Sequence, residues 1–256
     1  MIHPTAIIDP RTRIPEGTEV GPYSIIAADV ELGEGCIIGP HVVINGPTRL
    51  GRDNRIYAHC SIGGDPQDKK YGGEASALEI GDRNTIREFC TINRGTEQDS
   101  GTTRIGDDNW IMAYVHIAHD CQVGHHTVFA NCASLAGHVH VGDHAILGGF
   151  TLVHQFCRVG AYSITAIGTA MLKDVPPFVM ASGNFATPHG INLEGMRRQG
   201  FSKEAIAAVR QAYKVLYRQN LSFDQAKAEL ASLAGEFPEV ALFREFLEGS
   251  RRGVIR

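Results

Sequence analysis

Every sixth residue from Ile8 is apolar. The series runs Ile8, Ile14, Val20, Ile26, Leu32, Ile38, Ile44, Leu50, Ile56 and Ile62, then Ile80, Ile86 and Ile92. After a one-residue phase shift it resumes as Ile105, Ile111, Ile117, Val123, Phe129, Leu135, Val141, Leu147, Val153 and Val159. Two positions before each anchor stands a mostly small residue, as at Ser24, Cys36, Cys60, Cys121, Thr127 and Ala145. Gly often follows the anchor, as at Gly21, Gly39, Gly106 and Gly142. A period of six matches neither a helix stripe nor a simple amphipathic strand. It fits short strands broken by tight turns, three hexads closing one coil of about 18 residues. Strand alternation puts the anchor and the small residue on the same, inward side. Gly is expected to supply the turn conformation at least cost. The fold class is therefore mainly β, a parallel β-helix of hexapeptide repeats.

Two polar, Gly-rich segments interrupt the repeat: 64–77, "GDPQDKKYGGEASA", and 94–102, "RGTEQDSGT". They read as loops leaving a rigid scaffold. The hexads end near 171, and 175–190, "VPPFVMASGNFATPHG", reads as a Pro/Gly-punctuated linker. Beyond it the period becomes helical. Ser202 is a candidate N-cap for a helix with Ile206, Val209, Tyr213, Leu216 and Tyr217 on one face. Further helices are expected at 223–233 and 237–249. The domains are then 1–190, the β-helix, and 191–256, an all-α domain.

A net charge of −4 over 256 residues gives no global basic signature for nucleic acid. No basic N-terminal region leads into an apolar run, and nothing nears the roughly 20 apolar residues of a membrane span. A cytoplasmic protein without membrane insertion is expected. Five of the six Cys (36, 60, 90, 121 and 157) fill the small-residue slot and read as small buried hydrophobes. No CxxC occurs, and no disulfide is expected.

Eight of the twelve His lie between 116 and 154. A zinc site is the obvious rival reading, but no two His stand five apart, as the H-x₄-H pair of hexapeptide-repeat carbonic anhydrases requires; no metal is expected. The coil length sorts these residues. Stacking i over i+18 makes one column of His119, Gly137 and Gln155, and a neighbouring column of Asp120 and His138. A His with a carboxylate beside it and a bare Gly backbone one coil away suits acyl transfer: a base, its orienting group and an oxyanion donor. His3, His41, His59, His125, His126 and His144 have no such partners and read as solvated surface.

The segments "HIAHDC", "LAGHV", "VHQFC", "GDRNTIRE", "GNFATPHGINLEGMRRQGFS" and the final "RGVIR" resemble the UDP-N-acetylglucosamine O-acyltransferases, which open lipid A biosynthesis. The resemblance spans essentially the whole chain and implies a left-handed winding. It implies transfer of a 3-hydroxyacyl chain from acyl carrier protein to the sugar 3-hydroxyl of UDP-N-acetylglucosamine. No cofactor is implied beyond the phosphopantetheine thioester on the carrier. It implies His119 as general base, Asp120 as its orienter and the Gly137 N–H as oxyanion donor. Asp68 and Lys70 match donor and sugar contacts. His116, His138, His154 and Gln155 match cleft residues, and Asn192, Glu194 and Arg198 match nucleotide contacts. Ile167 matches a chain-length gauge and implies a medium-length acyl chain. The family is a homotrimer with sites between adjacent prisms. Asn93, Phe185 and Gln199 depart from its commonest pattern and put details of donor and acceptor contacts in question. Arg197, Arg198, Lys203, Arg210, Lys214 and Arg218 form a basic tail suited to an acidic carrier protein. The alternatives are the N-acylating paralogue, a CoA-dependent acetyltransferase of the same fold, a zinc hydratase and a purely structural β-helix.

Overall fold

The computed structural model describes every residue except Glu236. Short strands stack into three sheets that form the faces of a prism. Face I has ten strands, face II nine and face III seven. The chain visits them in rotation: Trp110–Ile111 lies on face I, His116–Ile117 on face II and Gln122–Val123 on face III. The coil-to-coil pairing is parallel, His116 beside Ser134 and Ser134 beside Leu152. Both pairs are 18 residues apart, as the hexads require.

The anchors point inward. Ile38, Ile62, Ile86, Ile117, Phe129 and Leu147 are fully buried along the axis, each contributing about 1.5–3 kcal/mol by leaving water. The small residues sit where the chain turns, too close to the next coil for a larger side chain. Ser24 Oγ donates to the Gly39 carbonyl at 2.7 Å, and Cys121 Sγ to that of Ala136 at 3.2 Å. The five slot cysteines are buried free thiols.

Glycine has a different role from the one the sequence suggests. The left-handed residue comes three positions after the anchor and is seldom Gly. Tyr23, His41, Asp120, His138, Phe156 and Tyr162 occupy it with φ between 56° and 64°. That conformation costs a side-chain-bearing residue about 1–2 kcal/mol. The structure offsets it with a hydrogen bond to the preceding coil, such as His138 N–H to the His119 carbonyl at 3.0 Å. Ring stacking along the corners adds to this. Tyr23, His41, His59, Phe89 and Tyr114 form one ladder, and His126, His144, Tyr162 and Phe178 another. The Gly after the anchor serves clearance instead: a Cβ on Gly33 would lie 2.5 Å from the Gly51 carbonyl carbon.

The segment 175–190 is more ordered than a linker. Val179–Ser182 pairs in parallel with Ile164–Thr165 and antiparallel with Thr187–Ile191, extending face I by a hairpin. The alternating burial of Val179 and Ala181 explains why it continues the sheet. Four helices follow: α1 (Leu193–Arg198), α2 (Lys203–Arg218), α3 (Phe223–Leu233) and α4 (Pro238–Glu248). Ser202 caps α2, and Ser222 with Gln225 forms a capping box on α3. Ile206, Val209, Tyr213 and Leu216 are buried. The chain end returns to the prism. Asp174, fully buried, accepts from Ser250 Oγ at 2.6 Å, and its backbone pairs with Gly253 and Ile255.

Candidate active site

One corner of the prism, where face II passes into face III, gathers the chemistry. The first loop leaves there, after Ser61–Gly64, and rejoins at Ala77–Ile80. The second leaves one coil on, after Thr91–Asn93, and rejoins at Thr102–Ile105. The next coil carries His119 and Asp120 at the same corner. Face III stays in register across both loops, Ile80 pairing with Leu50 and with Ile105, so the loops are excursions that overhang the corner without disturbing the prism.

A cleft of about 680 Å³ lies beneath them, lined among others by Asp68, Lys70, Asp99, His119, His138, Gln155, Arg158 and Arg251. A larger groove of about 840 Å³ runs along face III, walled by repeat residues and by Leu242, Glu245 and Phe246; the His119–Asp120 pair lines the smaller cleft's side of the corner instead.

His119 Nδ1 lies 2.9 Å from Asp120 Oδ2. Asp120 is 1 % exposed and is held on both oxygens: Thr96 N–H donates to Oδ1 at 2.9 Å and Thr96 Oγ to Oδ2 at 2.7 Å. Burial by itself raises this carboxyl, but the hydrogen bonds from His119 and Thr96 outweigh it and hold it below the ordinary carboxylate range. Gly137 faces the other side of the imidazole. A Cβ there would stand 2.5 Å from His119 Cε1 and 2.6 Å from Nε2. Gly137 is buried, and its N–H has no acceptor among the described residues. That N–H belongs to the residue packed against the ring, whose Nε2 the dyad leaves over. His116 donates to or accepts from Thr91 Oγ1 at 2.7 Å on face II. Burial and the neighbouring His119 lower its pKa, which keeps it neutral at neutral pH.

The donor atoms of His119, Asp120 and His138 lie within 4.8 Å of one another, close enough to share an ion. The same closeness is what a hydrogen-bonded dyad needs.

Asp68, Lys70, His119, Asp120, Gly137, His138 and Gln155 therefore converge. Other expected site residues do not join them within one chain. His154 is exposed at the rim, its Nδ1 3.1 Å from the Gln155 carbonyl. Asn192 is the N-cap of α1 and also donates to the Tyr162 carbonyl at 2.9 Å, a structural use of both ends of its amide. Glu194 pairs with Arg197 on the exposed side of α1, and Arg198 is exposed. Ile167, 78 % exposed, lies on the corner between faces I and II. Of the departures, Asn93 anchors the first loop by donating to the Asp65 carbonyl at 2.9 Å.

Sequence reasoning missed Thr96, Asp99 and Arg94. Asp99 Oδ2 lies 2.8 Å from His138 Nδ1. Arg94, 7 % exposed, donates to the Gly63 carbonyl, to Asp65 and to Tyr71 Oη, and so clamps the first loop from the second. The available signal was hexad phase: the two loops leave, two coils and one coil earlier, from the corner that carries His119.

A triangular prism of hexads with a His–Asp dyad under two loops defines a hexapeptide-repeat transferase. The profile described as bacterial transferase hexapeptide matches residues 11–46, 29–64 and 102–137, and that described as UDP-N-acetylglucosamine O-acyltransferase, domain 2, matches 174–255. The acyl-[acyl-carrier-protein]–UDP-N-acetylglucosamine O-acyltransferase of Thiobacillus denitrificans is 62 % identical, covering 100 % of this chain and 99 % of its own. The one from Ectopseudomonas mendocina is 60 % identical with the same coverage. The crystal structure of the Moraxella catarrhalis enzyme superposes with a TM-score of 0.97 at 48 % identity, covering 100 % and 99 % of the two chains. That of Francisella novicida gives 0.98 at 41 %, covering 100 % and 94 %. The chain belongs to the UDP-N-acetylglucosamine O-acyltransferase family. It is an acyltransferase with a left-handed parallel β-helix followed by a helical domain.

Proposed function

We propose that the protein transfers a 3-hydroxyacyl chain from acyl carrier protein to the 3-hydroxyl of UDP-N-acetylglucosamine, the first step of lipid A biosynthesis. The observation that carries this reading is the placement of Gly137 against His119. The Asp120 carboxylate accepts from Nδ1 and leaves Nε2 bare on the side of the ring that Gly137, with its unused N–H, faces. His119 Nε2 takes the proton of the sugar hydroxyl as that oxygen attacks the thioester carbonyl. The C–O bond forms, and the carbonyl oxygen, now negative, accepts from Gly137 N–H. Collapse breaks the C–S bond, and the carrier thiolate takes the proton back from the imidazolium. No covalent acyl-enzyme, metal or cofactor is required. Asp68 and Lys70, with Arg158 and Arg251, orient the polar and anionic parts of the two substrates.

The scattered residues are reconciled if the working unit is a homotrimer. The outer columns of faces I and II carry more apolar residues than that of face III, with Ile37, Trp110, Val128, Ile146 and Ile164 on one and Ile7, Ile25, Val43 and Leu152 on the other, between Ser61, Thr91, His116 and Ser134. Face III is charged, with Glu31, Arg49, Glu79, Arg104 and Arg158. Copies packing through faces I and II bury the apolar columns and bring His116, His154, Ile167, Asn192, Glu194 and Arg198 to clefts completed by a neighbour. Lys203, Arg210, Lys214 and Arg218 are exposed along α2, a surface complementary to an acidic carrier protein. No helix among the described residues is long and apolar enough to cross a membrane, and both substrates belong to the cytoplasm.

The test is release of carrier thiol by the purified protein given UDP-N-acetylglucosamine and a panel of 3-hydroxyacyl carrier proteins. His119→Ala is expected to abolish turnover with the assembly size unchanged. Full activity in that variant, or turnover only with acetyl-CoA, overturns the reading.

A further inference from the structure

The cleft holds a second His–carboxylate pair that the proposed chemistry leaves unused. His138 is fixed on three sides. Its ring stacks on Phe156 at 4.3 Å and 6°, and stands edge-on to His119 at 5.0 Å and 90°. Its backbone is locked to the His119 carbonyl. With the ring immobile, what stays open is which nitrogen carries the proton. Asp120 cannot decide it: its Oδ2 is 3.8 Å from His138 Nδ1, beyond hydrogen-bond reach, and its oxygens already serve Thr96 and His119. Asp99, from the second loop, sits at 2.8 Å.

We propose that Asp99 is a positioning residue that holds the His138 proton on Nδ1 and so makes Nε2 an acceptor for a substrate hydroxyl in the cleft. An ionised carboxylate only accepts, so the Asp99 contact requires Nδ1–H and leaves Nε2 bare. The second loop then orients both imidazoles, Thr96 acting through Asp120 on His119 and Asp99 acting directly on His138. The proposal deepens the function proposed above and rests on it for the identity of the substrates. The hydroxyl belongs either to the sugar or to the acyl chain, and substrate choice separates the two.

Two experiments test it. In the resting protein, without substrate, ¹⁵N NMR of the His138 ring should show the proton on Nδ1, and a mixture of tautomers in Asp99→Ala. A proton on Nε2 in the unaltered protein overturns the proposal. Because this reading needs no turnover, an Nδ1 proton in a protein that fails the thiol-release assay would sink the proposed function and leave the Asp99 assignment standing. In steady state, Asp99→Ala should raise one KM about tenfold, the order of losing one well-formed hydrogen bond to the substrate, with kcat little changed. A raised KM for UDP-N-acetylglucosamine assigns the sugar hydroxyl. A raised KM for the 3-hydroxyacyl carrier, absent with an unsubstituted acyl chain, assigns the acyl hydroxyl. Asp99→Asn, which can still accept, should recover most of the loss and also serves if the Ala variant folds poorly. In a His138→Ala background Asp99→Ala should add nothing. Equal losses in both backgrounds, or an unchanged KM, overturn the proposal.

Discussion

Gly137 lies so close over the His119 imidazole that a single added carbon would reach 2.5 Å from Cε1. Its φ is outside the left-handed region, so alanine is permitted by the backbone, and the obstruction falls on the ring alone. Gly137→Ala is expected to push the ring off Asp120 and lower kcat by about 10²-fold or more, the usual scale for losing a positioned general base, with the melting temperature little changed. Turnover near that of the unaltered protein would show that clearance over the His119 ring is not what requires glycine at 137.

Two buried carboxylates should make opposite contributions to stability against pH. Asp120 is held below its ordinary range, so its contribution is present above the unfolded carboxylate pKa, near 3.9, and is lost as pH falls through the folded value. Asp174 is raised by burial, despite hydrogen bonds from Ser250 and Arg158 N–H. Its contribution is full below the unfolded pKa and lost as pH rises through the folded one. Denaturation midpoints from pH 3 to 8 check this. Asp120→Asn should fall behind the unaltered protein above about pH 4, whereas Asp174→Asn should gain on it as pH rises. A constant offset in either variant contradicts the assignment.

Arg94 should act on substrate binding from a distance. Replacing its fork by Lys loses the simultaneous contacts to Gly63, Asp65 and Tyr71. Arg94→Lys is expected to free the loop bearing Asp68 and Lys70, raise KM about tenfold and lower the melting temperature by a few degrees, the scale of about 1 kcal/mol. Unchanged KM with lowered stability would make the clamp purely structural.

Ile167→Gly should lengthen the preferred acyl chain, read by competition among carrier proteins with acyl groups of different lengths. An unchanged preference would return Ile167 to ordinary corner packing.

The prism was legible because an inward anchor every sixth residue leaves few other ways to bury Ile and Val. The i+18 rule placed Gly137 over His119 before any coordinates, since stacking in this region is uninterrupted. It could not place Asp99 or Thr96. They lie in a loop that breaks the count, and only hydrogen bonds fix such a loop over the corner. Glycine misled for a related reason: its frequency suggested turn conformations, whereas coil-to-coil clearance demands it, a restraint that local sequence does not carry. Asn192 illustrates a third limit. A polar residue in a recognisable motif can be spent on a helix cap.

His119 and Ile167 are 48 residues apart, a little under three coils of the 18-residue pairing. At about 4.8 Å per coil, their difference in height along the prism is about 13 Å. An extended chain advances about 1.2 Å per bond, from a reach of about 3.6 Å for three bonds, so this height spans ten or eleven bonds. In the proposed trimer, a threefold axis parallel to the prism would leave heights unchanged, so the figure would hold whichever copy supplies either residue. Under the gauge expected at Ile167, chain length would be graduated in two units. Deleting one coil between the two residues would remove about four bonds at a stroke, by the same spacing, while a change of side chain at 167 trims by its own reach. A prism that gauges acyl chains in this way would have a coarse scale in coil number and a vernier in one corner residue.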